Sequence, residues 1–395
     1  VIIIAILTFN DYIRLINSGV LRPVCKVQLL HDSDETVMSS VTRYPLPGSV
    51  LSISNNNSCR RSIQISFDNS DSAFKYNSNN GDFYINTKFQ FYLGLEDEYK
   101  NNIFFNQGTF CLSKSEPEQI SNYSERTINI KADDKFNLLD NNIDGGIYQI
   151  ERGESITKKI KEIVEICNDP QEPIFDSDIE NLDTAEYTLR WDGSATYAQI
   201  IRQLANMHSR DVFYDVNGQL RYQKFINEIT EPSQWDYTLD TFQYCGSNRI
   251  YMNDKLYNQV YVTSSNSDSG VYTALAQNND LTSPNRIGAI PKHTLYISDD
   301  KIYSNEMAKT RAETELARVK NLQETISLKS VVLPHLTCDK AITLTDPALN
   351  LYYARFFIQS ISMPLDMKSV MTVTAYKFTG DSAYQSFEDV PNPIS

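Results

Sequence analysis

Apolar positions recur at helical spacing in three places along the chain. The clearest is 194–220, SATYAQIIRQLANMHSRDVFYDVNGQL, where Tyr197, Ile200, Ile201, Leu204, Ala205 and His208 fall three and four apart and share one helical face. Val212, Phe213 and Tyr214 then face Leu220, Arg221 and Tyr222 across Asn217-Gly218, the strongest short hairpin signal. A helix and hairpin of this size cannot stand alone, so the unit is expected to pack on something larger. Ser155 suits an N-cap ahead of a second stripe, Ile156, Ile160, Ile163, Val164 and Cys167, which Pro170 and Pro173 end. A third helix is expected behind Ser304, with Met307, Ala308, Ala312, Leu316 and Val319 on one face.

Elsewhere the period drops to two. Alternation predicts strands over 24–30, 62–67, 89–93 and 127–130, then over 187–191, 260–262 and 271–275, and finally over 325–328, 341–344, 356–361 and 370–376. Polar, turn-rich stretches separate them at 54–58, 77–82, 96–102, 264–269 and 277–291. The cluster DNNIDGG at 140–146 marks a boundary, and the acidic stretch 176–186 is expected to be exposed. The fold class is therefore α+β, mainly β. A first β domain spans 1–140, a small α/β domain of two helices and a hairpin spans 141–232, and a second β domain with one helix spans 233–380. Residues 381–395, with few apolar side chains and two prolines, read as a tail or linker.

Composition sharpens this. The 395 residues are 41% hydrophobic and 22% charged, as in a folded chain too long for one simple core. The 24 tyrosines and 18 phenylalanines suit strands. A net charge of −14 argues against direct binding of free nucleic acid but suits a surface past which DNA must slide. Cys25, Cys59, Cys111, Cys167, Cys245 and Cys338 are far apart and form no Cys-x-x-Cys, so buried reduced thiols are expected. The apolar VIIIAIL at 1–7 is too short to span a bilayer and lacks the flanks of a signal peptide; it reads as a buried strand or packing arm.

Catalytic signatures are missing from the sequence. It contains no His-Glu-x-x-His, no Gly-x-Ser-x-Gly and no phosphate-binding glycine loop. His31, His208, His293 and His335 are scattered and expected to serve as surface or packing residues. Cys338 and His335 sit too close on one segment to make a dyad. Carboxylates are densest at Asp176-Ser-Asp178-Ile-Glu180 and Asp133-Asp134, where a solvated face and a turn are expected. A hydrolase needs only two carboxyls about 5–10 Å apart, so a cell-wall hydrolase with a carboxylate pair stays an alternative. Asp32, Asp34 and Glu35 lack the spacing and glycine of a calcium loop. The aromatic-rich strands leave a β-rich carbohydrate-binding adhesin as another alternative, although core packing accounts for them. No catalytic, cofactor or metal site is expected. The positions with structural weight are Ile200, Leu204, Phe213 and the Asn217-Gly218 turn, where Gly218→Val is expected to strain the hairpin.

Three stretches, in order, carry a resemblance. The first runs from Arg60-Arg61-Ser62-Ile63 through Phe91-Tyr92-Leu93-Gly94-Leu95 and Gln107-Gly108-Thr109-Phe110 to Asp134-Lys135-Phe136-Asn137-Leu138-Leu139-Asp140. The second is the helix and hairpin at 194–222. The third joins Tyr257-Asn258-Gln259-Val260-Tyr261-Val262, Ser283-Pro284-Asn285-Arg286-Ile287-Gly288, the helix at 304–320 and Leu344-Thr345-Asp346-Pro347. Together they resemble the baseplate hub and tail-tip hub proteins of tailed phages, both T4-like and Mu-like, and the N-terminal parts of tail-associated proteins of phages of Gram-positive bacteria. The resemblance implies two tail-tube-like β-barrel or sandwich domains with a small α/β domain between them. It implies a homotrimer whose six tube-like domains adapt a six-fold tube to a three-fold tip and line part of the DNA exit channel. The partners it implies are a distal tail or tail tube ring, the tape measure protein, and tip, needle or receptor-binding proteins. DNA would pass without specific binding, no membrane insertion is implied, and the location would be the virion, with assembly in the host cytoplasm. It implies no enzyme activity for this stretch of chain.

Overall fold

The computed structural model describes residues 9–18, 22–72, 74, 87–97, 99–112, 118–121, 126–143, 145–182, 184–226, 228, 230–251, 256–264, 270–320, 324–366 and 370–377. The arm expected at 1–7, the turn at 77–82, most of the loop at 264–269 and the tail at 381–395 lie outside them.

The N-terminal part begins with helix α1 (Phe9–Asn17), which the period-two reading did not anticipate. Tyr12, Leu15 and Ile16 are its buried face. Strands β1 (Arg22–Leu30), β2 (Val37–Arg43), β3 (Val50–Ser54), β4 (Arg61–Asp68), β5 (Lys88–Glu96), β6 (Asn102–Leu112), β7 (Glu118–Ser121) and β8 (Arg126–Asp134) follow. Clean alternation in β4 becomes clean alternation of burial, with Ile63, Ile65 and Phe67 inward. In β5 a Cβ on Gly94 would stand 2.5 Å from the Ile103 carbonyl oxygen, so close pairing with β6 requires glycine there. A short 3₁₀ helix, Lys135–Leu139, closes this part, capped by the Asp134 side chain.

The middle part holds β9 (Ile147–Ile150), α2 (Ile156–Ile166), β10 (Ile174–Phe175), β11 (Leu189–Asp192), α3 (Tyr197–Met207), β12 (Arg210–Tyr214) and β13 (Leu220–Lys224). Ser155 caps α2 through the Lys158 N–H, and Thr196 caps α3 in a capping box with Gln199. The two expected stripes meet in one core that includes Ile160, Ile163, Ile200, Ile201 and Leu204. The hairpin loop differs in detail from a two-residue turn. Asp215 N–H bonds Gln219 O and Gly218 N–H bonds Asp215 O, which makes a three-residue loop with Gly218 alone left-handed, φ +79°. The acidic stretch is not simply a solvated face: Ile179 and Ala185 are buried, and Asp176 and Asp178 pair with Arg210. Apolar residues interleaved among the acids pull the segment onto the core.

The last part contains β14 (Ser233–Thr238), β15 (Tyr244–Tyr251), β16 (Gln259–Thr263), β17 (Thr273–Gln277), β18 (Thr294–Ser298), α4 (Asn305–Val319), β19 (Glu324–Ser330), β20 (Ala341–Asp346), β21 (Leu351–Pro364) and β22 (Met371–Lys377). Strands β17, β16 and β18 form a separate small sheet whose Val260 and Val262 pack on Ala308, Ala312 and Leu316 of α4. Arg311 and Glu315 are also buried on α4 as an ion pair, 3.1 Å apart, which apolar spacing could not reveal.

The remaining strands of the first and last parts run in one path, β15-β19-β22-β21-β3-β4-β8-β6-β5-β1-β2, with β20, β14 and β7 attached to it. The join is β3 on β21, where Ile53 stands opposite Ile361. A single apolar core follows the path from Tyr12 to Ala375. The path ends in β15 and β2, each paired on one side among the described residues. All six thiols are free; Cys25, Cys111, Cys167 and Cys338 are buried, Cys59 is half-buried, and Cys245 is exposed. Cys245 differs from expectation because β15 slips register between Tyr244 and Gly246. Among the described residues no helix is long and apolar enough to cross a membrane.

Candidate functional site

The three parts meet at Arg60 and Arg61, where β4 begins. The Arg60 guanidinium is 2.6 Å from Asp211 on β12 and 2.6 Å from Asp339 just before β20, and it stacks 3.8 Å from the centre of the Phe213 ring. Burial works against its charge, but Asp339 and Asp211 overcome that and hold it ionised. Arg61 is turned the other way. It donates to the Tyr214 carbonyl oxygen at 3.1 Å and to Thr337 Oγ1 at 3.2 Å, while its backbone N–H reaches Asp134 Oδ2 at 3.0 Å. One dipeptide thus ties the first part to the middle hairpin and to the last part.

A cleft of about 580 Å³ opens beside this junction, bounded by Arg60, Phe225, Glu228, Arg318, Asp339 and Tyr376 among others. Its two aspartates point at Arg60 rather than at one another's free faces, so they form a clamp and not an open carboxylate pair. Glu228 accepts a hydrogen bond from the Tyr376 hydroxyl. Burial pushes its carboxyl up to about 7. The folded chain therefore keeps a proton that the unfolded chain, near 4.5, has lost, so stability falls as pH rises from about 4.5 to 7 and is level above. Glu228→Gln is expected to be more stable than the parent by about 1–3 kcal/mol at pH 8 and nearly equal to it at pH 4. Urea midpoints at both pH values check this, and a difference independent of pH would count against the buried carboxyl.

The other candidate acids are engaged structurally. Asp134 caps the 3₁₀ helix, its Oδ1 accepting the Phe136 N–H at 3.0 Å, and burial pushes it up to about 6. Burial also raises Asp133. Asp178 bonds Arg210 and Lys224, which hold its carboxyl far below the usual range. The side chain of Glu180 lies outside the described residues. Asp34 caps a turn through Thr36. Glu35, by contrast, is buried against Lys88 and Lys135. Adjacent acids in sequence gave no sign that Glu35 turns inward, because its partners come from β5 and the 3₁₀ helix.

His335 is buried with its Nδ1 2.7 Å from the Tyr12 hydroxyl, and burial lowers it to about 3. Cys338 instead faces Gln359 O at 3.3 Å and is pushed up to about 12 by burial. His208 Nδ1 is 2.8 Å from Tyr222 Oη, while His31 and His293 are exposed. Among the described residues no group of three or more His, Cys, Asp or Glu side chains could hold a metal ion. Ile200 and Leu204 are buried in the middle core, Phe213 lies under Arg60, and Gly218 abuts Thr109 and Lys135. Asn258, in the third stretch of the resemblance, is fully buried and pins the excursion beyond β17 by bonding His293 N–H and Pro291 O.

No family model matches the sequence, and no curated protein matches it. Solved structures do match. A 43 kDa tail protein of prophage MuSo2 from Shewanella oneidensis superposes with a TM-score of 0.58 at 12% identity, covering 89% of this chain and 98% of that one. A tail protein from Neisseria meningitidis gives 0.61 at 10% identity, covering 91% and 97%. A structure of the Francisella PdpA–VgrG complex gives 0.56 at 10% identity, covering 96% of this chain and 62% of the other. Nearly end to end, this chain thus has the mainly β fold found in these prophage tail proteins.

Proposed function

We propose that this chain is a non-enzymatic structural hub of a phage tail baseplate or tail tip, or of a related contractile particle. One observation carries the reading: the fold covers 97–98% of two prophage tail proteins. In this reading the two ends of the long sheet path, over 1–140 and 233–380, are the two tube-like domains, and 141–232 is the α/β domain between them. Three copies form a ring of six such domains that adapts a six-fold tube to a three-fold tip. The partners are a tail tube or distal tail ring, the tape measure protein and a tip or receptor-binding protein, assembled in the host cytoplasm into the virion. Tripling a charge of −14 gives a ring that repels phosphate, so DNA slides through it. A lumen lined chiefly by Lys and Arg would sink that last point.

The sheet edges support self-association. Strand β2 presents Val37 and Met38 exposed, with uncharged Ser39 and Ser40 beside them. An uncharged run such as 37–42, ahead of Arg43, is a site for pairing with another strand. The first experiment is mass and shape, by light scattering with negative-stain imaging. A three-fold ring with a central hole is expected. A monomer that stays monomeric with tube protein present would overturn the reading. Adding charge by Met38→Lys with Ser40→Lys is expected to change stability by no more than about 0.5 kcal/mol and to abolish the ring. A ring of unchanged mass in that variant would remove β2 from the interface.

A further inference from the structure

Below the hairpin loop lies a second junction, dry and charged, which the hub reading does not use. Lys135 Nζ is 2.5 Å from Asp169 Oδ1, and neither side chain has any exposed surface. The same nitrogen is 2.6 Å from Glu35 Oε1, whose side chain is 4% exposed, and 2.8 Å from the Gly218 carbonyl oxygen. Tyr214 donates its hydroxyl to Asp169 Oδ2 at 2.7 Å. The Gln171 N–H reaches Asp169 Oδ1 at 3.0 Å. Lys88 Nζ is 3.1 Å from Glu35 Oε1 and donates to Asn168 O at 3.0 Å.

We propose that Lys135 and Asp169 are joined by an isopeptide bond that the chain forms by itself, with Glu35 carrying the proton. A buried amine is a competent nucleophile once it loses one proton, and a carboxylate beside it is the acceptor for that proton. Glu35 takes a proton from the Lys135 ammonium. Glu35 delivers that proton to Asp169 Oδ1, and the freed lone pair then attacks Cγ of the neutral carboxyl, with both side chains already held in place. Charge gathers on Oδ2, where the Tyr214 hydroxyl donates, as an oxyanion donor does. Oδ1 departs as water with two of the three ammonium protons, one of them returned by Glu35. The third proton stays on the amide nitrogen.

The balance closes without an oxidant or a second reactant. Ammonium plus carboxylate becomes amide plus water, and net charge is unchanged. Lys88 then remains as the counter-charge of Glu35, so no carboxylate is left buried alone. The bond closes a loop between residues 34 apart, from the 3₁₀ helix to the segment after α2. It constrains the unfolded chain as a disulfide would, in a protein whose six thiols are free. It bolts the first β part to the α/β part under mechanical load and is insensitive to reductant.

The test uses the full chain, denatured, and needs no partner. Intact mass is expected to fall below the sequence mass by one water. Protease digestion is expected to yield a branched peptide linking Lys135 to Asp169. Lys135→Arg, which keeps the charge but cannot form this amide, is expected to show the full sequence mass. Glu35→Gln is expected to do the same while its circular dichroism stays that of the parent. The full sequence mass in the unsubstituted chain, with Lys135 and Asp169 in separate peptides, overturns the proposal. Loss of water that persists in Lys135→Arg overturns it equally. Loss of water in Glu35→Gln at the parent's extent overturns the role given to Glu35.

Discussion

Arg60→Ala is expected to destabilise the fold by about 3–5 kcal/mol. The guanidinium is 8% exposed and its two carboxylate partners 15% each, so truncation strands two half-dry anions facing one another. It also uncovers the Phe213 ring and leaves a gap beside Asn55, whose amide bonds the other oxygen of Asp339. The cost is chiefly that of unpaired charge, which gives the experiment its control. Adding Asp211→Asn and Asp339→Asn to Arg60→Ala is expected to restore a large part of the loss, because neutral amides tolerate the site better than bare anions. Urea unfolding with far-ultraviolet dichroism measures both. A loss below about 1 kcal/mol for the single variant would mean that the clamp is a solvent-screened surface pair.

Arg60 shows how far the sequence reaches. The helices and hairpin were legible because their signal is local: Ser155, Thr196 and Ser304 cap α2, α3 and α4, and the apolar stripes are buried. Strand β4 was legible because one face meets the core and the other does not. Strands β2 and β15 were not, since β2 is exposed along most of its length, β15 is mostly half-buried on both faces, and neither sequence alternates. Helix α1 is short, and Asn10, Asp11, Arg14 and Asn17 dilute its stripe. The joining of first and last parts through β3 and β21 was also illegible, because pairing across some 300 residues leaves no spacing to read.

The junction is the instructive case. Arg60-Arg61 and Lys135 stood out only as pieces of a resemblance, and Asp134 otherwise only as one of two adjacent acids, with no local reason for their types. The structure supplies the reason. Arg60 clamps two carboxylates, Arg61 and Asp134 meet through the backbone, and Lys135 enters the dry cluster under the hairpin. Each of these partners lies 30 to 280 residues away, so burial of these charges could not be inferred from their neighbours in sequence. The inward turn of Glu35 was illegible for the same reason. A carboxylate next to Asp34 and three residues from Asp32 looks solvated until the cations of β5 and the 3₁₀ helix are placed around it.

Gly218→Val is expected to cost about 3 kcal/mol or more, by two additive routes. The first is backbone strain. Gly218 sits at φ +79°, a region that β-branched residues resist, and the loop bonds from Gly218 N–H to Asp215 O and from Asp215 N–H to Gln219 O fix it there. The second is contact. A Cβ would stand 2.8 Å from Thr109 Oγ1, 3.0 Å from Thr109 Cβ and 3.2 Å from Lys135 Cδ. Thr109 is on a strand and Lys135 is held by two carboxylates, so neither can yield cheaply. Shifting the loop instead would withdraw the Gly218 carbonyl from Lys135. Gly218→Ala meets the same first atoms but not the branch, and is expected to fall between parent and valine. Asn217→Ala separates the turn types: Asn217 is exposed and not left-handed, so the change is expected to stay within about 1 kcal/mol. A two-residue turn with positive φ at both positions would penalise both sites. Thermal and urea unfolding of the three variants therefore test the loop geometry and its contact with β6 together, and an unchanged Gly218→Val would exclude both.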